Sequence, residues 1–122
     1  MFRPCLPQPV RFQYAMRRRT DLTHEAYAKH YAEVHSGFGY KTRGVEGYAQ
    51  FHVDLLASAE ACASSGLGVC DLDGVSQVYL ATLTRFLLAA PINAAMGAVK
   101  DEKRFVDRER SAMFSSRVSR RF

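Results

Sequence analysis

Residues Val10 to Arg18 alternate in polarity. Val10, Phe12, Tyr14 and Met16 fall on one parity and Arg11, Gln13 and Arg17 on the other, a period of two that predicts a strand. The period then lengthens. Thr23 is suited to cap a helix, with Glu25 in the first turn where the helix dipole favours a carboxylate. Tyr27, Tyr31 and Val34 recur at helical spacing and predict one buried face, with His30 and His35 on its shoulders. Gly37 and Gly39 are expected to end this helix. Alternation returns from Gly47 to Leu55, with Tyr48, Gln50, His52 and Asp54 opposite Ala49, Phe51, Val53 and Leu55. The Ala/Ser-rich run from Leu56 to Ser65 predicts a short helix closed by Gly66, and Asp71 to Gly74 a turn. A third strand is expected from Val75 to Ala81, with Val75, Gln77 and Tyr79 on one side and Ser76, Val78 and Leu80 on the other. Thr82 caps a predicted helix through Leu88. Pro91 fits the first turn of another, with Ile92, Ala95, Met96 and Val99 as its apolar stripe. Ser111 to Val118 is the last predicted strand.

The order strand, helix, strand, strand, helix, strand makes two βαβ halves. It predicts an α+β, ferredoxin-like fold: a four-stranded antiparallel sheet with helices on one face. Both parities of the second and third strands carry apolar residues, which requires cover on both sheet faces. A second copy of the chain is the simplest cover, so a homodimer is expected. No internal repeat or linker interrupts residues 1–122, which are expected to form a single domain, with 1–9 as an extended, proline-bearing lead-in.

Composition narrows the class. Hydrophobic residues make up 48% of the chain, enough for a core. No run reaches the roughly 20 apolar residues of a membrane span, and Met1 to Val10 lacks the apolar stretch of a secretory signal, so a cytoplasmic protein without membrane contact is expected. Cys5, Cys62 and Cys70 are not paired at Cys-x-x-Cys spacing and read as free thiols. The net charge of +5 comes chiefly from Arg17 to Arg19 and from arginines between Arg104 and Arg121. An arginine-rich soluble surface explains that excess better than nucleic-acid binding, and Asp107 and Glu109 neutralise part of it locally.

Four segments together resemble the EthD family: Leu22-Thr23-His24-Glu25-Ala26-Tyr27 through Glu33-Val34-His35; Gly47-Tyr48 with Gln50 and His52; Asp71-Leu72-Asp73-Gly74-Val75; and Asp101-Glu102-Lys103-Arg104-Phe105-Val106-Asp107. The chain departs from the family at Ser36-Gly37-Phe38, where Gly-Pro-Leu is usual, and in a longer segment from Leu55 to Val69. The resemblance implies a dimeric α/β barrel. Its relatives include cofactor-free isomerases, polyketide cyclases and dehydratases, and oxygenases of aromatic substrates. It therefore implies a small organic ligand and no metal or organic cofactor.

His35 and His52 are the first candidates for acid–base chemistry, since an imidazole both takes and gives a proton near neutrality. The competing assignments are a helix-end packing residue for His35 and a satisfied core histidine for His52. Tyr31 is the candidate acid for a developing enolate. Tyr14 and Tyr79 suit an aromatic ligand, and Gln50 and Gln77, amides among apolar strand neighbours, could meet its carbonyl. Ser36-Gly37-Phe38-Gly39-Tyr40 reads as a glycine-rich loop gating the cleft, which adds Phe38 to the binding set. His30 and His35, about 140° apart on an α-helix, do not suit one metal ion, and His24 in the first turn is expected to be solvated. The expected function is cofactor-independent cyclisation, dehydration or isomerisation. The alternatives are an accessory ligand-binding protein, a cofactor-free or heme-handling oxygenase and, last, a nucleic-acid binder. The predicted cleft places Tyr14, Tyr31, His35, His52 and Tyr79 between the first helix and the sheet. Which strand parity meets the helices is left open, because both are partly apolar.

Overall fold

The computed structural model describes residues 10–117; the 1–9 lead-in and residues 118–122 lie outside the described residues, and with them Cys5 and Val118. Strands β1 (Val10–Met16), β2 (Gly47–His52), β3 (Gly74–Leu80) and β4 (Ala112–Ser116) form one sheet in the order β2-β3-β1-β4. All three pairings are antiparallel. This is the expected ferredoxin-like α+β sheet, its two crossovers straddling one strand each.

The first crossover is helical from His24 to Lys41. It comprises α1 (His24–His30), a turn of π-helix (Tyr31–His35) and α2 (Ser36–Lys41). Thr23 caps α1 as expected, its side-chain oxygen accepting from Ala26 N. Gly37 and Gly39 do not end the helix, and the glycine-rich stretch is helical rather than a gating loop. Packing outweighs propensity at Gly39: a Cβ there would lie 2.6 Å from Cε1 of the Tyr48 ring, so only glycine lets α2 approach β2 this closely.

The π turn corrects the predicted face as well. A π turn closes over five residues instead of four, so each residue advances less around the axis. Val34 is thereby carried outward, to 45% exposure, and His35 comes round beneath Tyr31 as a buried residue. Tyr27 and Tyr31 are fully buried against Met16, Phe105 and Val106, with Tyr14 and Leu22 at the margin of this core. Each such side chain contributes about 1.5–3 kcal/mol by leaving water.

Helix α3 (Leu55–Ser65) follows β2. It is capped by Asp54, a residue expected in the second strand, and is closed by Gly66 at φ 75° as the sequence suggests. The second crossover is three short helices: α4 (Leu83–Leu88) capped by Thr82, α5 (Ala90–Ala95) with Pro91 in its first turn, and α6 (Ala98–Glu102) after Gly97 at φ 90°. Because Gly97 breaks the run, the predicted stripe does not stay on one face. Met96 is half-buried, while Ile92, Ala95 and Val99 are exposed.

Register decides which parity meets the helices. Tyr14 lies opposite Ser76, and Met16 opposite Gly74, on β3; Gln50 pairs with Ser76 and His52 with Gly74. With Met16 in the helix-side core, the set Phe12, Tyr14, Met16, Tyr48, Gln50, His52, Ser76 and Val78 faces the helices. The other face carries Arg11, Gln13, Ala49, Phe51, Val75, Gln77, Tyr79 and Phe114. In the single chain Phe51 and Phe114 are each 49% exposed there.

A buried carboxylate joins β1, α1 and β3. Asp73 accepts from Arg18 N at 2.8 Å, the Arg18 guanidinium at 2.6 Å and His24 Nδ1 at 2.7 Å. His24 is therefore held in the structure, its side chain only 17% exposed, and not solvated as expected. Burial opposes ionisation of Asp73, but these bonds outweigh it and hold the carboxyl below the ordinary range.

Gly74 is the tightest point beneath the core. A Cβ there would meet Tyr27 Oη at 2.6 Å and Tyr31 Cε2 at 3.1 Å, both on fully buried rings. Gly74→Ala is expected to cost about 1–3 kcal/mol through overpacking, measured by urea denaturation. A variant as stable as the parent would show that the two tyrosines can yield.

Candidate functional site

A cavity of about 230 Å³ lies between the sheet, the π turn with α2, and the α5–α6 wall. Its lining is mainly apolar: Phe12, Phe38, Val78, Phe86 and Met96, with Met113 from β4. Tyr14, His35, Tyr48 and Glu102 are its main polar residues. An engineered apolar cavity of roughly 150 Å³ accepts benzene. The volume here therefore suits one ring or two fused rings, with any remainder of a ligand toward the opening.

His35 is placed by Asp101, which is 2% exposed on α6. His35 Nδ1–H donates to Asp101 Oδ2 at 2.8 Å, and His30 Nε2–H donates to Asp101 Oδ1 at 3.0 Å. An ionised carboxylate only accepts, so the two ring nitrogens are the donors. The angular separation expected for His30 and His35 on an α-helix does not apply, because residues five apart stack in a π turn. What they share is a carboxylate; among the described residues no group of side chains is arranged to hold a metal ion. With Nδ1 engaged, His35 keeps Nε2 for a ligand, and among the described residues nothing hydrogen-bonds it. Burial lowers the His35 pKa below the ordinary histidine value, and Asp101 opposes the shift only in part. The ring is thus neutral at pH 7, with an accepting nitrogen on an apolar cavity.

The other candidates divide. Tyr14 and Phe38 line the cavity with His35. Tyr31 lies behind it, fully buried, its hydroxyl 2.6 Å from Ser76 Oγ and its carbonyl accepting from Gln50 Nε2 at 2.8 Å. Gln50 also donates to the Tyr48 hydroxyl at 2.9 Å, so its amide is satisfied by the protein. His52 does not line the cavity. It is exposed at the end of β2, bonded through Nε2 to Gln50 Oε1 at 3.0 Å and packed 4.9 Å from the Tyr31 ring centroid. Tyr79 and Gln77 are on the opposite sheet face, contrary to the predicted cleft. Tyr79 lies under the Arg11 guanidinium at 4.7 Å, and Gln77 accepts from Gln13 Nε2 at 3.2 Å. They share the parity of Val75, and one residue of parity reverses the face.

Sequence reasoning missed Asp101, Tyr48 and Glu102. Asp101 had a signal, four residues ahead of Phe105 in a charged run. Tyr48 had one in its parity with Gln50 and His52.

The sheet order and a lateral cavity between helix and sheet define a ferredoxin-like α+β protein. Residues 19–109 match the EthD domain, three quarters of the chain, and the chain belongs to the EthD family. An ethyl tert-butyl ether d (EthD) family protein from Bacillus halodurans c-125 superposes with a TM-score of 0.65 at 12% identity, covering 90% of this chain and 98% of that one. HapK from Hahella chejuensis superposes with a TM-score of 0.60 at 9% identity, over 93% of this chain and 96% of that one. At such identities the likeness is one of fold. No curated protein matches the sequence significantly. No helix among the described residues is long and apolar enough to cross a membrane.

Among the described residues, Asp101 supplies the only upward influence of a neighbour on the His35 pKa. Asp101→Asn is expected to lower that pKa further, to remove the preference for Nδ1–H and to cost about 2 kcal/mol. Long-range proton–nitrogen NMR should show the parent ring neutral with Nδ1 protonated at pH 7. The linkage has a definite sign. A depressed histidine contributes full stability above the unfolded value of 6.5, and loses it as pH falls from there toward its folded value. His35 titrating above 6.5 would contradict this geometry.

Proposed function

We propose that the chain binds a small, uncharged aromatic or polyketide-like molecule in this cavity and performs cofactor-independent acid–base chemistry on it, with His35 as the base. One observation carries the proposal: a neutral imidazole on the wall of an apolar cavity, its Nδ1 fixed by a buried carboxylate and its Nε2 left to accept. This is the arrangement needed to take a proton from carbon next to a carbonyl. It serves cyclisation, dehydration or isomerisation equally, each of which begins with that proton transfer. Phe12, Phe38, Phe86 and Tyr48 supply the ring-binding surface. Tyr31, Gln50 and His52 act from behind, holding the π turn against β2.

A second reading, a ligand carrier without chemistry, has its own support. Much of the cavity's polar lining is already engaged within the protein. Thr42 Oγ1 donates to the Phe38 carbonyl at 2.8 Å, Ser76 pairs with Tyr31, and Asn93 exchanges two hydrogen bonds with the Arg43 backbone. A carrier needs His35 only for packing.

Naphthol is a suitable neutral two-ring probe. It is expected to bind with shifts in the NMR signals of Phe38, Tyr48 and Met113, and Ala94→Trp, which fills the cavity, should abolish binding. Unchanged spectra at saturating naphthol would remove the ligand assignment.

We further propose that two copies pair through the open sheet face, closing the barrel over Phe51, Val75, Tyr79 and Phe114. Sedimentation should show a dimer at micromolar concentration, and Phe51→Glu with Phe114→Glu should dissociate it. A folded parent monomer would refute the pairing.

A further inference from the structure

The cavity holds a second group able to exchange a proton. Glu102 follows Asp101 at the end of α6, and successive helical side chains diverge by about 100°. Asp101 turns to His30 and His35, while Glu102 lines the cavity with Tyr14. The Glu102 side chain is 14% exposed. Among the described residues its nearest cation is Arg108, with Nε at 3.9 Å, beyond hydrogen-bond distance. No hydrogen bond from the described residues reaches its carboxyl, whereas the nearby Asp101 carboxylate has two histidine donors. A carboxyl enclosed in this way is expensive to ionise. Burial accordingly raises its pKa above the ordinary value, with Asp101 adding to the shift and Arg108 opposing it. Tyr14, from β1, is pushed up to about 12 by burial first and then by the Glu102 charge. The groups facing Glu102 are therefore Tyr14, Arg108 and, on its own helix, Asp101, with His35 on the same cavity.

We propose that Glu102 is the acid that works with His35, giving its carboxyl proton to the substrate oxygen on which negative charge develops. This rests on His35 being the base. His35 Nε2 takes a proton from the carbon beside a carbonyl. The C–H electron pair becomes a C=C bond, the carbonyl π pair moves to oxygen, and that oxygen takes the Glu102 proton. The products are an enol, an imidazolium and a carboxylate. Where the ketone is β,γ-unsaturated the enol is a dienol, and return of the imidazolium proton to its γ carbon, and of the enol proton to Glu102, restores both residues and completes an isomerisation with no co-reactant. The substrate class that fits is an uncharged aromatic or enolisable ketone, because the cavity lining is mainly apolar and Arg108, at 3.9 Å from Glu102, is beyond hydrogen-bond distance.

The test uses 3-cyclohexenone, a neutral one-ring β,γ-unsaturated ketone whose conversion to the conjugated 2-cyclohexenone needs the same two transfers and is followed by ultraviolet absorbance. A base takes the proton from the carbon between the carbonyl and the C=C bond, that pair forms the new C=C bond of a dienol, and the carbonyl oxygen takes the proton of the acid. His35→Ala should abolish turnover. Glu102→Ala should lower kcat at least about a hundredfold, the small end of what a positioned acid contributes. Glu102→Gln, which donates a hydrogen bond but no proton, should keep part of the rate and lose the fall of activity at high pH that marks deprotonation of the acid. Melting curves and naphthol binding establish that the variants are folded. If Glu102→Ala does not fold, Glu102→Gln and the titration of the Glu102 carboxyl carbon by NMR decide. Parent rates and an unchanged pH profile in folded Glu102 variants, with His35→Ala inactive, overturn the role of Glu102 alone, as does a carboxyl that titrates in the ordinary range. An active His35→Ala, or a parent no faster than free imidazole, overturns the base and the acid together.

Discussion

The arrangement of this molecule depends on one buried carboxylate. Asp101 is almost inaccessible, and its two oxygens are taken by imidazoles five residues apart on the same helical segment. A charge in that position is tolerable only while both donors are present. Both can reach it only if the helix widens between them. The carboxylate, the π turn and the placement of His35 are thus one constraint seen from three sides. Gln50 adds to it from the sheet, donating to the Tyr31 carbonyl inside the widened turn.

The same device recurs at the other end of the helix, where Asp73 joins His24 and Arg18. Two acidic residues therefore fix the helical segment at its start and near the π turn, to β3 and to α6. Between them sits the aromatic core of Tyr27, Tyr31 and Phe105, which fills the space but confers little direction. The polar clamps supply direction and the rings supply most of the burial. A site that needs one nitrogen aimed into a small cavity benefits from that separation.

The strand and helix order was legible from period and caps: Thr23 and Thr82 act as the expected helix N-caps and Gly66 closes α3 in the left-handed region, whereas Asp54 caps α3 where the strand alternation was expected to continue. The facing of the strands was not, because Gln77 and Tyr79 on one parity of β3 are as apolar in context as Val78 and Leu80 on the other. Only pairing with β1, whose Met16 is in the core, separates them. Of the site, His35, Tyr14 and Phe38 were within reach of sequence and lie on the cavity, whereas His52 resembles a cleft residue by parity yet lies past its edge at the strand end. Asp101 was hidden for a physical reason. Its partners are specified by a non-standard turn, and standard helical spacing places His30 and His35 on different faces.

The π turn also has a bearing on chain length. Every residue after it stands one position ahead of the frame set by α1, and Phe38, Gly39 and Thr42 meet the cavity in that shifted frame. Loss of a single residue between Tyr31 and His35 would restore the ordinary pitch. The imidazole would then turn from the cavity with every chemical group still in the sequence. In homologous chains, an insertion or deletion at this point is therefore a switch on chemistry encoded in length, and a comparison that counts matching histidines without counting the residues between them would miss it.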